Sequence, residues 1–154
     1  MKSSQQESEL PGLAVALAAA KLAPGKPTIL VAEDNSDGRD MLQVLLALKG
    51  YNVLLAADGL EAVEVALAQF PDLILLDLEL PQLDGLAVTK NLRRHPKFKE
   101  VPIVVLSGHD PRKYRQSALD AGCSDYLFKP IDFERLEEIL IHNVPTANGR
   151  ERDV

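Results

Sequence analysis

Five residues of types suited to handling a cation and an anion together stand just after short apolar runs. Glu33 and Asp34 follow the run 28–32, Asp77 follows 72–76, Ser107 follows 102–106, and Lys129 follows 125–128. Three carboxylates brought within a few ångströms repel and raise one another's pKa, so such a cluster calls for a cation. Oxygen ligands without His or Cys suit a hard ion. A few carboxylates plus water fit Mg²⁺, with Mn²⁺ as a substitute. Lys129 adds a second positive charge. A metal and a lysine side by side make a clamp for an anion with several oxygens, and Mg²⁺ and Lys are common clamps on a transferring phosphoryl group. This chemistry makes Asp77 the candidate acceptor of a phosphoryl group.

The elements that must bring these residues together alternate regularly. Apolar runs of strand length cover 28–32, 51–56, 72–76, 102–106 and 125–128. Helical spacing follows each of them. Met41, Leu42, Leu45, Leu46 and Leu48 mark a helix over 36–49, closed by Gly50, and Ala62, Val63, Ala66 and Leu67 mark one over 59–69. Leu86, Val88 and Leu92 mark a third over 85–94, and 111–121 reads as a fourth, ended by Gly122. Asp132 caps a fifth that runs to 143, with Phe133, Leu136, Ile139 and Leu140 on one face. Strand runs that are apolar throughout imply a sheet covered on both sides. Five strand–helix repeats give an α/β fold, a flavodoxin-like (βα)5 doubly wound parallel sheet of order 2-1-3-4-5. In such sheets the ligand site lies beyond the carboxyl ends of the strands, which is where all five residues fall.

The 154 residues suffice for one domain, expected over 27–143 with a polar tail over 144–154. A 46% apolar composition supports a real core, and a net charge of −6 disfavours nucleic acid as a general partner. The single cysteine, Cys123, excludes an internal disulfide and reads as a small packed residue. No apolar run is long enough to cross a bilayer. The N-terminal extension, 1–26, is polar and then rich in Ala and Leu. Residues 10–23 have good helix propensity, Leu10, Leu13 and Leu17 fall at helical spacing, and 24–27 (Pro-Gly-Lys-Pro) stop them. Residues 13–20 resemble the apolar part of a signal peptide, but Glu7 and Glu9 precede them where positive charge is needed. The expectation is a cytoplasmic protein whose extension packs on the domain or helps a homodimer form.

The motifs together resemble the receiver domain of bacterial two-component response regulators (the CheY-like family). They are Glu33-Asp34, the stretch Leu75-Leu-Asp77-Leu-Glu-Leu-Pro81-Gln-Leu-Asp84-Gly85, Ser107-Gly108, and Tyr126-Leu-Phe-Lys129-Pro130. The separations are 43 residues from Asp34 to Asp77, 30 on to Ser107 and 22 on to Lys129. The resemblance implies a phosphoprotein in phosphorelay signal transduction rather than an enzyme acting on other substrates. It implies that Asp77 takes a phosphoryl group from a sensor histidine kinase, a histidine phosphotransfer protein or a small phosphodonor. Asp34, Asp77 and the backbone carbonyl of Glu79 would bind the metal, and Glu33 would reach it through water. Lys129 and Ser107 would hold phosphoryl oxygens. Tyr126 would be an aromatic switch that moves inward, and the Lys129–Pro130 bond would be cis. Glu79, Gly108 and His109 would border the phosphoryl site.

Output is expected through the fourth helix, fifth strand and fifth helix, where Arg112, Lys113, Arg115, Glu134, Glu137 and Glu138 are candidate signals. Each could equally be a solvated helix face. His95 and His142 read as surface residues, and no metal-ligand spacing links the three histidines. Pro81 and Gly85 read as loop-shaping residues. About eleven residues follow the last helix, so the expected output is protein binding to an unidentified target, with no nucleic acid and no membrane insertion. Three rival readings are weaker. A haloacid-dehalogenase-like phosphatase needs its Asp nucleophile after the first strand. An FMN carrier needs a phosphate-cradling loop where Glu33-Asp34-Asn35 stands. A phosphorylation-independent scaffold would keep an acid cluster without its metal, at a cost.

Overall fold

The computed structural model describes residues 22–144. Its elements run β1 (Thr28–Ala32), α1 (Ser36–Leu48), β2 (Asn52–Ala56), α2 (Gly59–Gln69), β3 (Leu73–Asp77), α3 (Gly85–Arg93), β4 (Ile103–Ser107), α4 (Pro111–Ala121), β5 (Asp125–Phe128) and α5 (Phe133–Asn143). The strands form one parallel sheet of order β2-β1-β3-β4-β5. This is the flavodoxin-like order read from the sequence. Each helix starts on an Asn or Asp whose side chain accepts a backbone N–H of the first turn. Asn35, Asp58, Asp84, Asp110 and Asp132 do this for α1 to α5, satisfying donors that helix starts leave unpaired.

The core has two layers because successive strand residues point to opposite faces. Leu30, Ala32, Leu54, Ile74, Leu76, Ile103 and Val105 lie in the layer covered by α2, α3 and α4. Ile29, Val31, Leu73, Leu75, Val104 and Leu106 lie in the layer covered by α1 and α5. Every residue of β3 and β4 is buried, so both ends of these strands are fixed by the core rather than by their loops.

Several boundaries and faces differ from the sequence reading. Tyr51, Asp72 and Pro102 precede their strands instead of opening them. Residues 96–98, unassigned in the sequence, form a 3-10 turn that buries Phe98. Met41 and Leu48 are exposed, and the buried residues of α1 are Leu42 and Leu46. Its apolar stripe is wider than the core it meets. On α2 the fully buried side includes Val65, while Val63 and Leu67 are only partly covered. Phe133 is exposed at the start of α5. The expected helix over 10–23 lies outside the described residues except Leu22 and Ala23, which belong to no helix. Of the expected polar tail over 144–154 only Val144 is described, and it is buried in the layer covered by α1 and α5. No helix among the described residues is long and apolar enough to cross a membrane.

Candidate functional site

The rim at the carboxyl ends of β1, β3, β4 and β5 collects the five residues. Glu33, Asp77 and Ser107 are buried there although all are polar. Glu33, Asp34 and Asp77 each place a carboxylate oxygen within 4.8 Å of the other two. Lys129 reaches in from the end of β5. Its Nζ donates to Glu33 Oε1 at 2.7 Å and to Asp77 Oδ2 at 2.9 Å. The second oxygen of Asp77 accepts the backbone N–H of Glu79 at 2.9 Å. The Lys129–Pro130 bond is cis.

The electrostatics shift the three charged groups in different directions. Burial raises the pKa of Glu33, and the neighbouring Asp77 carboxylate raises it further, against the pull of Lys129. Burial also pushes Asp77 up, but hydrogen bonds from Glu33, the Glu79 N–H and Lys129 outweigh it, so Asp77 ends below the ordinary aspartate value. Burial alone would lower the Lys129 ammonium, and its bonds to Glu33 and Asp77 hold it above the ordinary lysine value. The site thus favours the charged forms of Asp77 and Lys129 and disfavours the charged form of Glu33. The donor set suits a hard divalent ion. It has three carboxylates and no nitrogen or sulfur ligand, and Asp34 is exposed on the side open to water.

The loops that hold this rim are set by close backbone approaches. A Cβ at Gly85 would lie 2.6 Å from the carbonyl oxygen of Asp77 itself, and one at Gly59 would lie 1.7 Å from that of Leu83. The Gly59 N–H donates to Pro81 O at 3.1 Å, and the Gly85 N–H to Leu78 O at 2.9 Å. The loop carrying Glu79 and Pro81 is thus pressed between the starts of α2 and α3. Arg39 does a similar service for the acidic loop after β1. Its guanidinium donates to the carbonyl of Glu33 at 2.8 Å and more weakly to that of Asp34. No sequence pattern marks Arg39, because a grip on main-chain carbonyls has no side-chain signature. Asn35 was detectable as an N-cap preceding an apolar-periodic stretch.

Around the mouth, Ser107 is buried and its Oγ accepts the N–H of His109 at 3.0 Å. Gly108 between them is exposed, with open space where a side chain would stand. The His109 imidazole pairs with the Glu79 carboxylate across the opening and lies 4.6 Å, centroid to centroid, from the Tyr114 ring. Tyr126 is only 5% exposed, and its hydroxyl donates to the His109 carbonyl at 2.9 Å. The Tyr126 ring is therefore buried in this structure and tied to the His109 segment. Burial raises the phenol's pKa, against a hydrogen bond with Ser107 that lowers it. Cys123 is buried against Thr89 Oγ1 at 3.4 Å, and His95 and His142 are exposed.

On the α4, β5 and α5 side, Asp125 is held by Arg135 at 3.0 Å and Arg115 at 3.5 Å. Arg112 pairs with Asp110, and Arg135 also reaches Glu138. Lys113 and Glu134 are exposed there. Glu137 differs from its expected place on this face, because its carboxylate binds Lys49, the C-cap of α1, at 3.1 Å.

A model of the response regulator receiver domain matches residues 29–141. The chain is 43% identical over 108 residues to the response regulator MprA of Mycobacterium ulcerans, covering 70% of this chain and 46% of that one. It is 36% identical over 110 residues to RpaA of Synechocystis, a DNA-binding dual master transcriptional regulator, again over 46% of its length. The chain thus spans less than half of these relatives. Among solved structures, the receiver domain of the sensor histidine kinase PA1611 of Pseudomonas aeruginosa has a magnesium ion coordinated in its active site cleft. It is 37% identical, with a TM-score of 0.71, over 77% of this chain and 97% of that one. The chemotaxis protein CheY4 of Vibrio cholerae is 28% identical, with a TM-score of 0.73, over 77% and 99%.

Proposed function

The chain belongs to the response regulator receiver family, and on that footing we propose that Asp77 takes a phosphoryl group from a phosphohistidine. The donor is a sensor histidine kinase or a histidine phosphotransfer protein, and the result is passed on by protein contact. The observation that carries this reading is the state of Asp77. One oxygen is fixed by the Glu79 N–H and the other faces Lys129, so the charged form is favoured and the carboxylate is oriented. An Asp77 oxygen attacks phosphorus, the P–N bond breaks, and its electron pair leaves with the imidazole. The product is an acyl phosphate on Asp77.

Glu33, Asp34, Asp77 and the Glu79 carbonyl are the residues that would hold Mg²⁺ or Mn²⁺. When bound, the ion offsets the negative charge gathered between the carboxylates and the phosphoryl oxygens. Lys129 moves from its carboxylate partners onto a phosphoryl oxygen. Ser107 rotates its hydroxyl to donate to another, releasing the His109 N–H it now accepts. Tyr126 is tied to that same His109 segment, so its position reports the change to the α4–β5–α5 face. A differential interaction of this kind biases an existing equilibrium between two conformations.

The donor must approach over the rim. A cleft of about 450 Å³ beside Lys129 is lined by Met41, Leu42, Pro130, Ile131 and Phe133. Its exposed Met41 and Phe133 suit an apolar helix surface of the donor. Met41→Glu should slow transfer from a donor protein and leave labelling by acetyl phosphate unchanged.

The deciding experiment is incubation with acetyl phosphate and Mg²⁺, read by intact mass. Wild type should gain one phosphoryl group, and both Asp77→Asn and chelation of the metal should prevent it. A label retained in Asp77→Asn would sink the assignment.

A further inference from the structure

The three acids of the rim are held in unequal ways. Glu33 Oε1 and Asp77 Oδ2 both accept from Lys129. The other oxygen of each accepts a backbone N–H, that of Asn35 at 3.3 Å for Glu33 and that of Glu79 at 2.9 Å for Asp77. Asp34 has neither kind of partner. It is exposed, and among the described residues its carboxylate makes no hydrogen bond or ion pair. Yet it places an oxygen within 4.8 Å of both other acids. An aspartate has a single carbon between backbone and carboxyl, so the reach of an unheld Asp34 carboxylate follows the peptide planes on either side of it.

Those two planes are gripped by one side chain. Arg39 Nη1 donates to the carbonyl of Glu33 at 2.8 Å and to that of Asp34 at 3.4 Å. The first oxygen belongs to the peptide before Asp34 and the second to the peptide after it. The guanidinium is half-buried and is carried by the first turn of α1, where the Arg39 N–H donates to Asn35 O at 2.9 Å. On the strand side the Glu33 N–H donates to Ala56 O at 3.0 Å, which anchors the entry to the loop on β2. Between that anchor and the start of α1, the grip of Arg39 is what fixes the carbonyls of residues 33 and 34.

We propose that Arg39 is a positioning residue for the metal, holding Asp34 toward Glu33 and Asp77 so that the acid cluster is formed before the ion arrives. This rests on the metal reading of the rim given above. Two effects of Arg39 oppose each other. Its charge stands beside a cation site and by itself weakens metal binding. Its grip spares the ion the cost of ordering the loop and so strengthens binding. Groups that orient metal ligands typically account for about 10- to 100-fold in affinity, whereas the charge of a half-exposed guanidinium is screened by water and salt. The grip outweighs the charge, and the sign of the change in a variant separates the two.

Arg39→Met in the full chain tests this by ¹⁵N NMR at fixed ionic strength. Wild type titrated with Mg²⁺ should shift the amides of Asp34, Asn35 and Glu79. Arg39→Met should need on the order of tenfold more Mg²⁺ to reach its midpoint. A guanidinium acting only through its charge gives the opposite, a lower midpoint. In metal-free wild type the Asp34 and Asn35 amides should have order parameters of about 0.85. In Arg39→Met they should fall below about 0.6, while the Leu78 and Glu79 amides keep theirs. That contrast distinguishes a local grip from general destabilisation, and the wild-type values test the idea even where the variant does not fold. A midpoint equal to or below that of wild type, loss of order spread over both loops, or mobile Asp34 and Asn35 amides in metal-free wild type would each overturn the proposal. A wild type that does not respond to Mg²⁺ would overturn the metal reading along with it, whereas normal Mg²⁺ binding by Arg39→Met would overturn this inference alone.

Discussion

β3 carries an aspartate at each end, and the two have opposite fates. Asp72 stands just before the strand and accepts the backbone N–H of Thr28 at 2.7 Å. Asp77 closes the strand, buried, with Lys129 and a second acid beside it. The serines of the neighbouring strands repeat the contrast. Ser124, before β5, accepts the N–H of Ile103 at 3.1 Å, whereas Ser107, at the end of β4, is buried at the rim and accepts the N–H of His109 at 3.0 Å. At the foot, polar side chains satisfy main-chain donors between adjacent strands. At the rim, three acids and a lysine converge on one another instead, a charge arrangement that suits a metal and an anion. The lesson is that residue type at a strand end does not mark a site; the end of the parallel sheet does.

The sharpest way to break this contrast is to treat both aspartates alike. Asp77→Asn should lose all labelling by acetyl phosphate. Asp72→Ala should keep it and cost about 0.5–1.5 kcal/mol of unfolding free energy, one backbone hydrogen bond. Labelling lost in both variants would mean that the two ends are not functionally distinct.

Gly85→Ala probes whether the rim depends on its backbone contacts. The added methyl meets the Asp77 carbonyl at 2.6 Å. Overpacking of this kind costs about 1–3 kcal/mol, measurable by denaturant titration. Because the strain falls on Asp77, labelling should slow as well, and an unchanged labelling rate would separate the loop's packing from its chemistry.

The smallest effect concerns Glu33. Its raised pKa means that its charged form is disfavoured in the folded protein. The resulting stability is present below the ordinary glutamate range and is lost as pH rises through the folded value. Metal-free Glu33→Gln should therefore melt slightly higher than wild type at pH 7, and the difference should vanish in acid. Added Mg²⁺ should reverse the ranking, since only tight binding to the native state stabilises it. A thermal melt with and without Mg²⁺ checks both signs.

The rim was readable because each of its residues directly follows an apolar run, and the run lengths fix which residues end the strands. Tyr126 was identifiable by its place three residues before Lys129, but its hydrogen bond to the His109 carbonyl was not. Arg39, Gly59 and the turn of Glu137 toward α1 were equally hidden, because each depends on main-chain or neighbouring-helix positions far away in sequence. Met41 and Phe133 share their helices' apolar stripes by spacing yet are exposed, for a related reason. Helical spacing shows that residues share a face but not how wide a face the sheet will cover.

The sequence by itself determined the alternation of strands and helices, the parallel sheet and the identity of the acid, lysine and serine at its rim. Those follow from local apolar runs, caps and order along the chain. Only the tertiary structure decided how the site shifts its acids. The charged form is favoured at Asp77 and disfavoured at Glu33 because burial, Lys129 and one backbone N–H meet at a point. Desolvation and hydrogen bonding act over a few ångströms in space, and residues 33, 77 and 129 reach that range only when the sheet has formed.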